Sequence, residues 1–253
     1  MKAVILCAGF ATRLYPLTEN FPKPLLPVAG QPVLHYLIEQ IKDLPGLEEV
    51  HIVTNAKFFG HFEDWRRAWS DQNRSGLMAV YLHNSGATEN ENRSGALADL
   101  QFVLKNLGSP EKILVSAGDN IYRFSFETLW DRFREGGDHY VVALPEKDPL
   151  KLKKTGVLEL GEDNRVLDLH EKPESPASEW FCPPLYFFQP SAWGLLDGFL
   201  NVEKRMDAPG HFISFLCKKE PVYAFKPTGF RIDIGSLEDY WKAEERIGSR
   251  ADF

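Results

Sequence analysis

Two cations near the amino terminus stand where an anion could be held. The segment Cys7-Ala8-Gly9-Phe10-Ala11-Thr12-Arg13-Leu14-Tyr15-Pro16-Leu17-Thr18 follows a short apolar run, and Asn20-Phe21-Pro22-Lys23-Pro24-Leu25 comes soon after it. Gly9, with the small Ala8 and Ala11, lets backbone N–H groups approach an anion closely, and Thr12 and Arg13 add side-chain donors. Arg13 offers a planar fork matched to two phosphate oxygens, while Lys23 is a compact charge between two prolines that restrict its backbone. Such a loop can cradle a triphosphate. On residue types alone it reads equally well as a surface turn carrying two solvated cations. It is not a Walker A loop, because the Gly-Lys-Ser/Thr ending is missing, and it does not fit the dinucleotide pattern Gly-x-Gly-x-x-Gly.

Carboxylates that could meet a metal come from two distant places. Ser116-Ala117-Gly118-Asp119-Asn120 places one aspartate after an apolar run, and Gly229-Phe230-Arg231-Ile232-Asp233-Ile234-Gly235-Ser236 places a second before a helical pattern. Taken singly, Asp119 also reads as an Asx-turn residue and Asp233 as a helix-capping or turn carboxylate. A third constellation is His170-Glu171-Lys172-Pro173. Adjacent strand residues face opposite sides, so Glu171 and Lys172 can reach one ligand only if the backbone bends, and Pro173 invites that bend. Alone, the motif is also consistent with an exposed edge strand and an ion pair.

The elements that must position these residues alternate through the first half. Strands are expected at 3–6, 50–54, 78–83, 113–116 and 140–144, with helices at 33–42, 61–69, 95–107 and 126–134 between them. Parallel strands need crossovers of this length. After Pro145 the texture changes to short strands at 156–160, 166–170 and 185–188 separated by proline-rich turns, which favours an antiparallel lobe. Helical stretches at 192–200 and 212–216, strands at 222–225 and 230–232, and a last helix at 237–247 follow, with no pattern in 249–253. The expected fold is therefore α/β: a mainly parallel Rossmann-like sheet flanked by helices, with a smaller antiparallel lobe. One domain over 1–253 is expected, with a first half over 1–145, a second over 146–235, and 236–253 forming the last helix and tail. In such sheets ligands gather at the carboxyl ends of strands, where the motifs above fall.

Composition narrows the partners. Apolar residues make up 43% of the 253 and charged residues 26%, as in an ordinary globular protein. A net charge of −7 excludes broad attraction to nucleic acid or anionic membrane, so a phosphate ligand has to meet a local basic cluster. Cys7, Cys182 and Cys217 are odd in number, far apart and without metal-ligand spacing, which points to a reducing compartment. No apolar stretch has the length of a membrane span and the first one is too short for a signal peptide, so the cytoplasm is expected. The sequence is compatible with a homo-oligomer. Trp65 and Trp69, one helical turn apart, read as core packing, and His35, His51, His61 and His139 are assigned no chemistry.

Taken together, residues 2–32 resemble the signature of the sugar-phosphate nucleotidylyltransferases, which include glucose-1-phosphate thymidylyltransferases and mannose-1-phosphate guanylyltransferases. That signature reads Gly-x-Gly-Thr-Arg-Leu-x-Pro-Leu-Thr, then Pro-Lys-Pro-Leu; here Ala11 stands where glycine is usual. The resemblance implies an Mg²⁺-dependent transfer of a nucleoside monophosphate from an NTP to a phosphorylated small molecule, a sugar 1-phosphate above all, with release of pyrophosphate. It implies that Arg13 holds the β and γ phosphates, that Lys23 holds the α-phosphate region, and that Asp119 is catalytic and shares the metal with Asp233. Leu6, Ala8, Gly9, Phe10, Ala11, Thr12, Arg13 and Gly118 would line the nucleotide, and Asn84, Arg93 and Gly95 the base, with a slight preference for a pyrimidine. Asn120, Gly156, Glu171, Lys172 and Tyr186 would meet the acceptor, Glu171 through hydroxyls and Lys172 through phosphate. Phe181-Cys182-Pro183-Pro184 departs from the pattern, since two prolines remove two backbone donors beside the acceptor. Three rival readings carry less: a non-catalytic sensor of nucleotide sugars, a glycosyltransferase, whose Asp-x-Asp is absent, and a nicotinamide-linked dehydrogenase. Within the transferase reading, a phospho-polyol or a phosphocholine-like acceptor is the alternative to a sugar phosphate.

Overall fold

The computed structural model describes residues 1–72, 78–202 and 207–249. In chain order the strands are β1 (Lys2–Leu6), β2 (Pro27–Val28), β3 (Gln31–Pro32), β4 (Glu49–Thr54), β5 (Ala79–Asn84), β6 (Ile113–Ala117), β7 (Asn120–Arg123), β8 (His139–Val142), β9 (Leu144–Pro145), β10 (Gly156–Leu160), β11 (Val166–Glu171), β12 (Trp180–Cys182), β13 (Leu185–Phe188), β14 (Val222–Phe225) and β15 (Phe230–Asp233). The helices are α1 (Val33–Ile41), α2 (Phe59–Gln72), α3 (Ala96–Asn106), α4 (Glu127–Glu135), α5 (Pro149–Leu152), α6 (Ser191–Val202), α7 (Gly210–Leu216) and α8 (Leu237–Gly248). The chain divides into two compact units: Met1–Val4, Ser94–Ser116 and Phe124–Gly229 in the first, Ile5–Arg93, Ala117–Arg123 and Phe230–Phe253 in the second.

In the first unit the main-sheet strands run in the order β14-β8-β13-β6-β1. β14 lies parallel to β8, whereas β13 is antiparallel to both β6 and β8. The segment 185–188, expected in the antiparallel lobe, belongs instead to this larger sheet. All four of its residues, Leu185, Tyr186, Phe187 and Phe188, are buried, and a continuous apolar run is what a strand covered on both faces requires. The antiparallel lobe is a four-stranded sheet in the order β11-β10-β12-β9, with α7 packed on β11.

In the second unit β1, β4 and β5 run side by side, β4 and β5 parallel from Glu49↔Ala79 to Thr54↔Asn84. α1 buries Val33, Leu34, Leu37, Ile38 and Ile41, the spacing of a single apolar helix face. Trp65 and Trp69 stack at 6.4 Å inside the core, as their spacing implied. Beside these elements β7 and β15 form a two-stranded antiparallel ladder. Its apolar side chains join Leu14, Leu26, Val28 and Val33 from early in the chain to Ile234, Tyr240, Ala243 and Ile247 from late in it. Each such side chain contributes about 1.5–3 kcal/mol on full burial, so this cluster firmly anchors the loop after β1, the ladder and α8 to one another. Ser236 caps α8 by accepting the Asp239 N–H at 3.2 Å, and Glu238 and Asp239 complement the positive end of the helix dipole. No helix among the described residues is long and apolar enough to cross a membrane.

Candidate active site

The loop after β1 is held from its carbonyl side. Asn55 donates to the Ala8 carbonyl at 3.0 Å while accepting the Phe58 N–H at 3.0 Å, and the Ala11 carbonyl accepts the Thr18 hydroxyl at 2.8 Å and the Leu14 N–H at 2.9 Å. Ala11 sits at φ 49, ψ 42, the left-handed region where glycine has no penalty and alanine does. The substitution noted in the sequence therefore falls where the backbone feels it. The single turn Thr12–Leu14 follows, with Leu14 driven into the core and Thr12 and Arg13 left exposed. Gly118 lies against the start of this loop: its N–H donates to the Leu6 carbonyl at 3.1 Å, and a Cβ at Gly118 would stand 2.3 Å from Cys7 Sγ. Burial, and secondarily the charge of Asp119, push the Cys7 thiol well above its ordinary pKa, so it stays protonated and serves as packing.

The β7–β15 ladder brings together the segments that carry the two aspartates. Asp233 pairs with Asn120, the residue next to Asp119, although the two strands are more than a hundred positions apart. Lys23 Nζ lies 2.5 Å from Asp119 Oδ2 and donates to the Ile234 carbonyl at 2.7 Å, joining the proline-flanked turn, the post-strand aspartate and the residue after Asp233. Asn120 Nδ2 donates to Asp119 Oδ1 at 2.6 Å, and Arg231 bonds both Asn120 Oδ1 through Nε and Asp233 Oδ2 through Nη2, the latter at 2.8 Å. Burial of the Asp119 carboxyl opposes its ionisation, but the Lys23 charge and hydrogen bond, with Arg231 behind, outweigh that effect and hold it below the usual carboxylate range. Asp119 is therefore ionised at neutral pH. Its side chain is 28% exposed and that of Asp233 50%, so both carboxylates reach solvent.

This donor set suits a hard cation. Among the described residues no three His, Cys, Asp or Glu side chains cluster in a way that would hold a metal alone, whereas Mg²⁺ is commonly held by one or two carboxylates with phosphate oxygens and water, so Asp119 and Asp233 are residues that could hold it.

The remaining sequence candidates occupy separate places. Asn84 ends β5 and accepts the Gly86 N–H at 2.9 Å, which makes it the pivot of an Asx turn. Arg93 donates to Asn90 Oδ1 at 2.6 Å, and Gly95 precedes α3 with φ +93. In the first unit Gly156 pairs with both Glu171 and Cys182 across the antiparallel lobe, and Glu171 Oε1 accepts the Gly210 N–H at 3.0 Å. The bend expected near Pro173 lies at Lys172 itself, whose φ of 47 turns the chain at the end of β11 and leaves the side chain exposed. Tyr186 and Asn120, expected beside the acceptor, are 4% and 1% exposed; Tyr186 stacks on Phe188, and Asn120 is committed to Asp119 and Arg231. Sequence reasoning missed Arg231. The available signal was its place two residues before Asp233 in Arg-Ile-Asp, which on a strand puts both polar side chains on one face.

A mostly parallel sheet flanked by helices, with a glycine-containing loop after its first strand and two aspartates tied to cations, defines an α/β protein. The chain belongs to the nucleotidyl transferase family, whose model matches residues 2–250. It is 32% identical to the bifunctional protein GlmU of Methanococcus maripaludis over 98% of this chain and 54% of that protein. It is 28% identical to GlmU of Methanocaldococcus jannaschii, again over 98% of this chain and 54% of that protein, so the chain spans about half the length of these relatives. With the UTP–glucose-1-phosphate uridylyltransferase AglF of Haloferax volcanii it shares 28% identity over 98% of this chain and 96% of that one. Among solved structures, UDP-glucose pyrophosphorylase complexed with UDP-glucose superposes with a TM-score of 0.82 at 20% identity, covering 98% of each chain. A UTP-bound UGPase from Acinetobacter baumannii gives 0.81 at 17% identity over 98% of this chain and 93% of that one. At such identities the structures speak for the fold.

Proposed function

We propose that this chain transfers a nucleoside monophosphate from an NTP to the phosphate of a sugar 1-phosphate, releasing pyrophosphate, with Mg²⁺ held by Asp119 and Asp233. The observation that carries this reading is the ladder that sets Asp233 opposite Asn120 while Lys23 binds both Asp119 and the Ile234 carbonyl. The attacking phosphate oxygen is anionic at neutral pH, so neither a nucleophilic side chain nor a general base is needed, and rate comes from alignment and charge neutralisation. Arg13, exposed on its turn, holds the β and γ phosphates. Lys23 spends two donors on Asp119 and Ile234 and offers the third to the α-phosphate region. The metal, when bound, neutralises nucleotide oxygens. On the acceptor side, Glu171 has one oxygen fixed by Gly210 and the other for a hydroxyl, and Lys172 meets the phosphate. The segment from Asn84 to Gly95 reads the base, with a slight preference for a pyrimidine that is in keeping with the uridylyltransferase name of AglF. Within the same proposal the setting is the cytoplasm, in keeping with three cysteines that are all buried.

The test is a matrix of UTP, dTTP, CTP, ATP and GTP against a panel of phosphorylated sugars, polyols and amino alcohols with Mg²⁺, read by pyrophosphate. At least one nucleotide with a sugar 1-phosphate should turn over; silence across all sugar phosphates refutes the proposal. Asp119→Asn and Asp233→Asn should each lower turnover by about a hundredfold or more, and near-normal pyrophosphate release in both removes the metal assignment.

A further inference from the structure

Arg231 is a largely covered guanidinium in this network for which the reaction as described has no use. It is 11% exposed and makes charge-assisted bonds to two acceptors on facing strands, Asp233 on β15 and Asn120 on β7. Asn120 passes the connection on to Asp119 Oδ1 at 2.6 Å. The two carboxylates are thereby joined through one continuous chain, Asp233 to Arg231 to Asn120 to Asp119. We propose that Arg231 is a positioning residue that sets the separation and orientation of Asp119 and Asp233 for a divalent cation, a role that rests on the metal reading given above.

The geometry calls for this residue type. On a strand, Arg231 and Asp233 share a face, and the antiparallel register places Asn120 on that same face directly opposite Asp233. A side chain bridging to both needs two donors at fixed spacing in one plane, which Nε and Nη2 of a guanidinium provide. A lysine ammonium carries the same charge at a single point and cannot hold both acceptors in register. Arg231 binds Oδ2 of Asp233, and half of that side chain remains exposed. Asp119 is fixed from two directions, by Lys23 on Oδ2 and Asn120 on Oδ1, and its side chain, 28% exposed, still reaches solvent. Partners that orient ligating groups in this way typically govern metal affinity by 10- to 100-fold.

The experiment uses the intact chain and Mn²⁺ as probe, with free ion read by electron paramagnetic resonance and the fold checked by circular dichroism. Arg231→Lys keeps the charge and loses the fork, so it should weaken Mn²⁺ binding by about tenfold or more. Asn120→Ala cuts the same chain elsewhere without touching charge and should act in the same direction. The double variant should bind no worse than the weaker single variant, because one chain of contacts is broken once. Mn²⁺ affinity within twofold of wild type in Arg231→Lys overturns the proposal, and if that variant does not fold, the same result in Asn120→Ala overturns it. Additive losses in the double variant overturn it as well. Asp233→Asn separates the two levels: if it leaves Mn²⁺ binding unchanged, the metal reading itself falls and this inference falls with it. If Asp233→Asn weakens binding and Arg231→Lys does not, only the inference falls.

Discussion

Replacing Lys23 with methionine isolates the ion pair on which the site depends. Lys23 Nζ contacts Asp119 Oδ2 at 2.5 Å and donates to the Ile234 carbonyl at 2.7 Å, so Lys23→Met leaves a carboxylate without its nearest cation and a carbonyl without its donor. Removing one partner of a buried pair costs about 3–5 kcal/mol. Water reaching the 28% exposed Asp119 recovers part of that, which makes a loss of roughly 2–4 kcal/mol the expectation. For a chain of this size that corresponds to a Tm lower by roughly 5–15 °C. The pH dependence follows from the direction of the Asp119 shift. In the wild type its carboxyl is held below the ordinary range, so its contribution to stability is present above the unfolded value of about 3.9 and is lost as pH falls through the folded one. Without Lys23 the opposing effect of burial is no longer offset, the folded pKa rises, and stability is lost as pH rises. The gap between variant and wild type should therefore be widest near neutrality and close towards pH 4, as read by urea unfolding at a series of pH values. Lys23→Met with Asp119→Asn removes the stranded charge and should recover about 2 kcal/mol relative to additivity, with no recovery of activity. A loss that is the same at pH 4 and pH 7, or strictly additive with Asp119→Asn, refutes the ion-pair account.

Ala11→Gly relieves left-handed strain of about 1–2 kcal/mol against an added unfolded-chain entropy of about 0.5–1 kcal/mol; calorimetry should show a small net stabilisation, and a lower Tm contradicts the strain assigned at φ 49. Asp99, 7% exposed, has its carboxyl pushed up to about 6 by burial and then by Asp207. Stability associated with it is full below about pH 4 and is lost as pH rises through about 6, so Asp99→Asn should gain up to roughly 3 kcal/mol at pH 7 and nothing at pH 4 in denaturant titrations. Gly118→Ala drives a methyl to 2.3 Å from Cys7 Sγ and should cost about 1–3 kcal/mol, largely restored when Cys7→Ala opens the space; no rescue in the double variant would show that the clash is not the cause.

Much of this arrangement was legible because it depends on local pattern. The helix expected at 33–42 is observed as Val33–Ile41, and that at 95–107 as Ala96–Asn106, since the apolar spacing of a helix is written within a dozen residues. The glycine-containing loop, its two cations and the two aspartates were likewise readable as residue types in sequence, and the departure at Ala11 could be seen, though not the left-handed backbone that gives it weight. Short strands were harder. Asn120–Arg123 follows Gly-Asp and reads as a turn, and Trp180–Cys182 is three residues long, too few for an alternation to show. The run 185–188 was recognised as a strand but assigned to the wrong sheet, because its burial on both faces depends on neighbours from elsewhere in the chain.

What the chain determined by itself was which groups are present and the local conformations that carry them, because propensity, turn chemistry and apolar period act over a few residues. Which groups meet was decided only in three dimensions: Lys23 with the carbonyl of Ile234 across 211 positions, and Arg231 with Asn120 across 111. No local pattern specifies such pairings. They arise because burying the cluster around Leu14, Ile121, Ile232 and Ile234 outweighs the entropy of closing those long loops, and the polar ends of the same segments are carried together as a result.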